Sequence, residues 1–186
     1  MNLPESIKVT VHYSDQATVN AFATLGGHMF FYQGLIDALD SEDALTMVMA
    51  HEIAHIKYRH PIVATSRGLT MMALAASMTG ASGSSAGELL IGQSINLGLL
   101  KFSRDQELES DADALNAVYR KYGHVAGAKS LFMTFAELSQ GQEQIPNVLL
   151  SHPHSQDRLK VLEKVGEQRN WGFNGQLTPM PKLLNK

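Results

Sequence analysis

Two histidines and a glutamate occur together in the stretch His51-Glu52-Ile53-Ala54-His55. Histidines four positions apart project from the same face of an α-helix, because four residues make slightly more than one turn. This spacing allows two imidazoles to share one zinc ion, and Glu52 can reach a water molecule on the same metal. A buried helix seldom carries three such side chains without a use for them. The stretch therefore predicts a metal site in which Glu52 acts as the general base.

The helix that carries this stretch has a start signal and a stop signal. Asp40 or Ser41 can cap its N-terminus, and two acidic residues that suit a helix N-terminus follow directly. Apolar residues at helical spacing then lead up to the histidines, which predicts a buried face. Pro61 is expected to end the helix near His60.

A third ligand should come from a later part of the chain, because a catalytic zinc usually takes three protein ligands and keeps one position for water. Residues 103–111 (SRDQELESD) are the obvious source. Glu107 and Asp111 are four apart, so one can bind the metal while the other orients a ligand histidine. Glu109 and Asp113 share that spacing, and spacing alone does not choose between the pairs. Either pair is also typical of a solvated acidic helix face.

Composition restricts the classes of protein and of metal site. With 186 residues, 44% of them hydrophobic, the chain predicts one globular domain with a substantial core. The sequence contains no cysteine, so any metal must be held by histidine and carboxylate. Fifteen Lys and Arg against eighteen Asp and Glu give a net charge of -3 without a basic run, so no nucleic-acid partner is expected. The first residues lack a basic region followed by an apolar segment, and no signal peptide is expected there.

The first third of the chain predicts a small β-sheet. Residues 20–25 and 28–32 predict two strands joined as a hairpin by Gly26-Gly27, and residues 34–39 predict a short helix before the metal helix. Residues 7–13 predict another strand, with His12 as a surface residue on its polar side. The residues expected on the buried side of that strand are Ile7, Val9, Val11 and Tyr13.

A weakly charged segment follows Pro61, with only one charged residue between Arg67 and Lys101. Its two apolar runs, at residues 69–78 and 89–100, are both shorter than the roughly 20 residues that a membrane-spanning helix needs. Two interpretations stay open. The segment is a buried helical hairpin with a Gly/Ser-rich tip. Alternatively, residues 68–100 form a lid over the active site or an element that contacts a membrane surface.

The rest of the chain is predicted to be mostly helical. Helices are expected at residues 102–122, 125–138 and 155–165, the first ending at Gly123, and a polar loop at residues 139–147. The single domain then consists of a sheet with the metal helix (1–61), the apolar hairpin or lid (62–101), the later helices with the third ligand (102–165) and a tail (166–186).

The third-ligand segment resembles a known pattern. Residues 103–111 match the Ser-Arg-x-x-Glu-x-x-x-Asp sequence of the HtpX and CAAX-prenyl-protease type of zinc metallopeptidases, which are short gluzincins. The resemblance implies that Glu107 is the third zinc ligand and that Asp111 lies behind the ligands and orients one of them. This chain has Ser110 where that family usually has alanine. His60 is also frequent in the family without a metal role, and it is interpreted as structural.

The resemblance extends to the predicted sheet and implies the fold. The hairpin sequence around Gly26-Gly27 is similar to the strand pair that precedes the metal helix in these enzymes. An α+β, zincin-like fold is therefore expected, with a small N-terminal sheet packed on a mostly helical body. The first hairpin strand is expected to bind an extended substrate peptide through its exposed edge. Its residues are Asn20, Ala21, Phe22 and Ala23.

A second resemblance concerns the C-terminal part. Ser151-His152-Pro153 followed by Arg158 is similar to the closing His-Pro…Arg segment of the periplasmic BepA/LoiP-like branch. It implies that His152 is a displaceable fourth zinc ligand that holds the enzyme inactive, and that Arg158 lines the site as a transition-state stabiliser. From position alone, His152 is equally well a loop histidine before a helix cap, and His154 is the less favoured alternative.

Together, these features predict a zinc endopeptidase with one Zn²⁺ per chain. The resemblance implies unfolded or misassembled cell-envelope polypeptides as substrates, and a periplasmic or envelope location with membrane association. One rival is a chaperone-like scaffold with a closed, structural zinc site. A fourth ligand would favour this rival, whereas a purely structural site has no need of Glu52. The other is a membrane-surface module built on residues 68–100.

Overall fold

A three-stranded sheet precedes a series of helices along the chain. The computed structural model describes residues 3–5, 7–79, 101–140, 146–152 and 156–181. The strands are β1 (Thr10–Ser14), β2 (Ala21–Ala23) and β3 (His28–Tyr32). The helices are α1 (Gln33–Ala38), α2 (Glu42–Lys57), α3 (His60–Thr79), α4 (Arg104–Tyr122), α5 (Ala126–Gln140), α6 (Asn147–Ser151) and α7 (Gln156–Gln168). The mixture confirms the α+β class and the small sheet with a mostly helical remainder.

The sheet has the strand order β1-β3-β2. Strand β2 pairs antiparallel with β3, which confirms the predicted hairpin, whereas β1 pairs parallel with β3. The connection contains a 3₁₀ turn at Leu25–Gly27, so β2 is shorter than residues 20–25. Gly26 and Gly27 have φ angles of 79° and 81°, a left-handed conformation that glycine adopts without steric cost. The glycine pair therefore fixes the turn.

The prediction for β1 was partly wrong. The strand begins at Thr10 rather than at residue 7, and Val11 and Tyr13 are 51% and 58% exposed instead of buried. Both residues pair in register with buried residues of β3, so they lie on the core-facing side of the sheet. Strand β1 is at the edge of the described sheet, however, and α2 packs closest to β2 at the opposite edge. Alternation gives the side on which a residue lies, but not whether another element covers it.

Helix α2 is the centre of the core and contacts β2, α4 and α5. Ser41, rather than Asp40, is its N-cap, because the Ser41 hydroxyl accepts a hydrogen bond from the backbone N–H of Ala44 at 3.2 Å. The helix ends at Lys57, so the prediction that Pro61 ends it was wrong. Pro61 is instead the second residue of α3, where its fixed φ and missing N–H are tolerated in the first helical turn.

Helices α4 and α5 cover α2 on its other faces. Ser103 and Gln106 form a reciprocal capping box at the start of α4, and Gly123 ends it with a left-handed φ of 75°, as predicted. Helix α5 approaches α2 closely at Gly127, where an added Cβ atom would lie 2.5 Å from the backbone of Asp43. The short helix α6 was not predicted, because it lies at the end of a segment interpreted as a polar loop.

The weakly charged segment is described only in part. Helix α3 extends to Thr79 and contains the first apolar run, whereas residues 80–100 lie outside the described residues. The hairpin and lid interpretations therefore both remain predictions. The same holds for His154 and for most of the predicted polar loop. Within the described part of the chain, no helix combines the length and the apolar character needed to cross a bilayer.

Candidate metal centre

Helix α2 presents His51, Glu52 and His55 in the interior of the molecule. These side chains are 7%, 1% and 0% exposed. Their burial follows from the position of α2 in the core, with α4 packed along the face that carries the histidines. The rest of this buried face is mostly apolar. These polar side chains must therefore find their partners among one another and among the residues of α4.

Four buried side chains converge at this point, namely His51, His55, Glu107 and His152. His51 Nε2 lies 2.9 Å from His55 Nε2 and 3.6 Å from Glu107 Oε2. His55 Nε2 lies 3.4 Å from Glu107 Oε1. His152 Nδ1 lies 2.9 Å from Glu107 Oε1 and 3.3 Å from His51 Nε2. All the residues that the sequence assigned to the metal, including the fourth, are therefore brought together.

These distances fit a tetrahedral zinc site. Ligand atoms at 2.0–2.1 Å from a tetrahedral zinc are separated from one another by about 3.4 Å. Three imidazoles and a carboxylate are also a donor set that zinc accepts. The four ligand atoms lie within 4.8 Å of one another. The residues present therefore suit this metal.

The electrostatics around His55 and Glu107 favour the protonation states that a metal needs. Burial holds the pKa of His55 well below its usual value, so this imidazole is neutral near pH 7. Burial alone would raise the pKa of Glu107, but the charge of His152 and hydrogen bonds from the imidazoles hold it below the ordinary range. A neutral imidazole and an ionised carboxylate are the forms that coordinate a cation.

Asp111 and Arg158 lie behind the ligands. His51 Nδ1 lies 2.9 Å from Asp111 Oδ1, which leaves Nε2 of that imidazole directed into the cluster. Arg158 donates to both carboxylate oxygens of Asp111, from Nε and Nη2 at 2.8 Å each, and its Nη1 lies 2.7 Å from Glu107 Oε2. Burial opposes ionisation of Asp111, yet Arg158 holds its pKa below the ordinary value. One guanidinium thus contacts two buried carboxylates and compensates one of their two negative charges.

Glu52 and His152 face each other across the site. Glu52 Oε1 lies 3.4 Å from His152 Nε2, whereas Glu52 Oε2 has no hydrogen-bond partner among the described residues. Burial alone would lower the pKa of His152, but the charges of Glu107 and Glu52 raise it. His152 therefore bridges the ligand Glu107 and the predicted base Glu52, and it fills the space between them.

The alternative acidic pair lies outside the four-residue cluster. Asp113 accepts hydrogen bonds from Lys57 and Tyr58, and Glu109 Oε2 lies 3.3 Å from His60 Nε2. Glu109 is two residues beyond Glu107, and Asp113 is two residues beyond Asp111. Each step is a rotation of about 200° around the helix axis, so this pair lies on nearly the opposite side of α4. His60 itself is buried and contacts His55, which its interpretation as a structural residue did not predict.

The predicted substrate strand β2 forms one edge of the described sheet and packs on α2. Ala21 and Ala23 are buried on the side that faces the core, whereas the ring of Phe22 stacks on Phe30 on the other side, with centroids 5.0 Å apart. Asn20 is buried just before the strand. Strand β2 thus lies beside the helix that carries the predicted metal ligands, and its outer edge pairs with no other strand of the described residues.

A small cavity of about 20 Å³ adjoins the cluster between α2, α5 and α6. Its wall includes His51, Glu52 and His152 beside mainly apolar side chains. The sequence indicated only that α5 is apolar, because no local pattern distinguishes a core helix from one that lines a cavity. The apolar lining residues include Met47, Leu131, Phe132, Phe135 and Val148.

A helix with the His-Glu-x-x-His sequence, a carboxylate from a later helix and a small sheet alongside fit the zincin-like class of metallopeptidases. The chain belongs to peptidase family M48, whose family model matches residues 1–165. It is 29% identical over 174 residues to the beta-barrel assembly-enhancing protease of Yersinia pestis, covering 83% of this chain and 34% of that protein. It is 32% identical over 164 residues to mitochondrial metalloendopeptidase OMA1 of Schizosaccharomyces pombe, covering 85% of this chain and 47% of that protein. The chain thus spans about a third to a half of the length of these relatives. The comparisons confirm the metallopeptidase family that the sequence resembled.

Proposed function

We propose that this protein is a zinc-dependent endopeptidase, with His51, His55 and Glu107 as the zinc ligands and Glu52 as the general base. The observation that carries the proposal is the convergence of the buried side chains of His51, His55 and Glu107 at one point, together with His152. Glu52 lies beside this cluster, and its Oε2 has no hydrogen-bond partner among the described residues. When bound there, one zinc ion per chain would lower the pKa of a water molecule and polarise the scissile carbonyl. Membership of family M48 supports this activity.

The residues of the chain have separate tasks in this reaction. Glu52 accepts a proton from the attacking water and passes it to the leaving amine. Asp111 accepts a hydrogen bond from His51 Nδ1 and so keeps His51 Nε2 directed at the metal. The contacts of Arg158 with Asp111 and Glu107 support an additional role, because they fix the carboxylate that binds zinc. A contribution of Arg158 to transition-state stabilisation would then be electrostatic, since its guanidinium is engaged with both carboxylates.

The fourth histidine supports latency. His152 Nδ1 lies within ligand distance of the cluster, and its Nε2 is directed at Glu52. A coordinated His152 would occupy the position that water and the substrate carbonyl need. His152 must therefore leave before turnover, and the enzyme is self-inhibited in the conformation described here.

The substrate is proposed to be a polypeptide in extended conformation. The outer edge of β2, at residues 20–23, can form main-chain hydrogen bonds to such a peptide beside α2. The name of the Yersinia relative refers to the assembly of beta-barrels. With it as support, the proposed substrates are unfolded or misassembled cell-envelope proteins, and the proposed location is the bacterial envelope, in association with a membrane. Membrane contact through residues 68–100 remains part of this proposal.

The experiment that tests the assignment measures zinc content and cleavage of unfolded casein together. His51→Ala and His55→Ala should lose zinc, because each removes a ligand. Glu52→Gln should keep one zinc per chain, as measured by elemental analysis, and should not cleave casein. A Glu52→Gln variant that cleaves as fast as the wild type would contradict the hydrolytic role of Glu52.

The rival function is that of a chaperone-like or membrane-surface scaffold with a closed structural zinc site. The presence of His152 in the cluster favours it, because four protein ligands leave no position for water. This rival predicts that casein is protected from aggregation by the wild type and by Glu52→Gln alike, and that removal of His152 exposes no hydrolytic activity.

A further inference from the structure

His60 contacts a metal ligand from outside the four-residue cluster. It is the first residue of α3 and is 4% exposed. Its Nδ1 lies 3.0 Å from Nδ1 of His55, the imidazole nitrogen that faces away from the cluster. Its Nε2 lies 3.3 Å from Glu109 Oε2 on α4. Both ring nitrogens of His60 are therefore directed at partners on the two helices that supply the metal ligands.

Only one placement of protons satisfies this chain of contacts with a metal bound. His55 Nε2 faces His51 and Glu107, so it must be unprotonated to coordinate, and the proton of this neutral ring is then on Nδ1. Nδ1–H of His55 can donate to His60 Nδ1 only if that nitrogen is an acceptor. His60 then carries its own proton on Nε2 and donates it to the carboxylate of Glu109. Each of the two hydrogen bonds, His55 to His60 and His60 to Glu109, thus joins one donor to one acceptor.

The two ligand histidines consequently have different outer partners. His51 is held by Asp111, a buried carboxylate that Arg158 neutralises. His55 is held by an imidazole, and the carboxylate that orients this imidazole is half-exposed. An outer partner fixes the tautomer and the ring orientation of a ligand histidine. Without His60, the described contacts offer His55 Nδ1 no acceptor in its place.

The packing around His60 also points to a fixed orientation. The ring of Phe102 lies over His55 with centroids 4.1 Å apart and contacts His60 at 6.2 Å. The ring of Tyr58 stacks on His60, with centroids 5.6 Å apart. These two aromatic neighbours restrict rotation of the imidazole, so its nitrogens stay aligned with His55 and Glu109.

We propose that His60 is a positioning residue for the metal centre, which accepts a hydrogen bond from His55 Nδ1 and so keeps His55 Nε2 directed at the metal, with Glu109 orienting His60. The inference rests on the proposed zinc site. It assigns a task to Glu109 as well, which is not one of the four clustered residues. It also explains why a buried histidine stands at the start of α3, where an apolar residue would fill the same space.

The test compares His60→Leu with His60→Asn in the full chain. Leucine fills the space without an acceptor, whereas the asparagine Oδ1 can take the place of Nδ1 and accept from His55. Zinc affinity is measured by competition with a chromophoric chelator, and the visible spectrum of the Co²⁺ form reports the geometry of the ligands. We expect about a 10- to 100-fold loss of zinc affinity for His60→Leu, the usual effect of losing an outer partner, and recovery of most of it in His60→Asn.

The matched control is His124→Leu. His124 is a partly buried histidine whose Nε2 lies 3.8 Å from Asp43, remote from the ligands in the contacts described. It should bind zinc as tightly as the wild type. A His60→Leu variant with wild-type zinc affinity, or His60→Leu and His60→Asn variants with equal losses, would overturn the inference. If His60→Leu does not fold, as judged by circular dichroism, the Co²⁺ spectrum of His60→Asn decides: a wild-type spectrum supports the role, and a changed coordination number refutes it.

These readouts separate the inference from the proposed function, because they need no turnover. If zinc affinity depends on His60 but the protein never cleaves peptides, the endopeptidase is refuted and the positioning role is kept. If casein is cleaved and His60→Leu binds zinc as tightly as the wild type, the positioning role is refuted and the endopeptidase is kept.

Discussion

Arg158 and Asp111 show how the buried charges of the site balance at the scale of single residues. Two carboxylates, Asp111 and Glu107, lie in the interior beside one guanidinium, and the two hydrogen bonds between Arg158 and Asp111 are both 2.8 Å long. Removing one member of such a buried pair leaves the other charge without compensation, which is more costly than the net contribution of the intact pair. The same pair also contacts the proposed ligands, because Asp111 lies next to His51 and Arg158 lies next to Glu107. A change in the pair should therefore affect both the stability of the protein and the geometry of these ligands.

Asp111→Asn should reduce the free energy of unfolding of the zinc-free protein by about 3–5 kcal/mol at pH 7. Because Arg158 lowers the pKa of Asp111, the stabilisation is complete above the unfolded-state pKa of about 3.9 and is lost as the pH falls through the folded-state value. The difference in the free energy of unfolding between the wild type and Asp111→Asn should therefore shrink below about pH 4. Urea unfolding of both proteins at a series of pH values from about 3 to about 7 measures this difference. A difference independent of pH would refute the charge-based explanation.

Glu107 and Glu109 differ in how directly they are expected to affect the metal. Glu107→Gln removes a carboxylate ligand and should weaken zinc binding more than about 100-fold, the upper limit usual for outer partners. Glu109→Gln acts only through His60 and should weaken binding about tenfold or less. Chelator competition on both variants measures the order, and the reverse order would overturn the choice of Glu107 as the third ligand.

Sequence alone could predict that His51 and His55 lie together, because the information is local. The four-residue spacing of His51 and His55 on one helix needs no knowledge of tertiary structure. Glu107 could not be chosen over Glu109 by spacing, and only the resemblance decided it. The partnership of His60 with His55 could not be predicted either, since it depends on the angle between α2 and α3, which no local pattern contains.

At the scale of elements, the close approach of α5 to α2 decides where the cavity wall lies. Gly127 permits this approach, because an added Cβ atom would lie 2.5 Å from the backbone of Asp43. Three of the residues that line the cavity beside the metal site, Leu131, Phe132 and Phe135, follow on the same helix. The separation of the two helices therefore determines the width of the cavity.

Gly127→Ala should destabilise the protein by about 1–3 kcal/mol, because backbone must move to relieve the clash. The matched control is Gly68→Ala in α3, where a new Cβ atom meets no described atom within 4 Å. That change should be neutral or stabilise by about 0.5–1 kcal/mol, since alanine is the better helix former. Thermal unfolding of both variants measures the difference. Equal effects at the two positions would show that the helix contact is not tight.

The elements themselves were predictable where the pattern was strong and local. The capped helix α2, the hairpin of β2 and β3, and the end of α4 at Gly123 all follow from short-range signals. The errors concern information from outside the element. Val11 and Tyr13 are exposed because no element within the described ranges covers that edge of the sheet. Pro61 lies in the first turn of a new helix because the chain turns at residues 58–59 before it. Both depend on tertiary arrangement rather than on propensity.

At the scale of the whole molecule, the site is assembled from distant parts of the chain. Helix α2 supplies His51, Glu52 and His55, α4 supplies Glu107, and His152 follows α6. The C-terminal segment returns to the start of α2, where the backbone N–H of Thr178 donates to Asp43 at 2.9 Å. His152 is the C-cap of a helix of only five residues. A short element of this kind can change position at lower cost than α2 or α4.

The central claim is a latent zinc endopeptidase, and the most direct test measures casein cleavage by zinc-loaded wild type, His152→Ala and the Glu52→Gln/His152→Ala double variant. All three should bind one zinc ion, because His51, His55 and Glu107 remain. We predict that His152→Ala cleaves at least tenfold faster than the wild type, roughly 1.4 kcal/mol in activation free energy, and that the double variant does not cleave. Zinc-loaded His152→Ala without any hydrolysis, or hydrolysis that survives in the double variant, would contradict the claim.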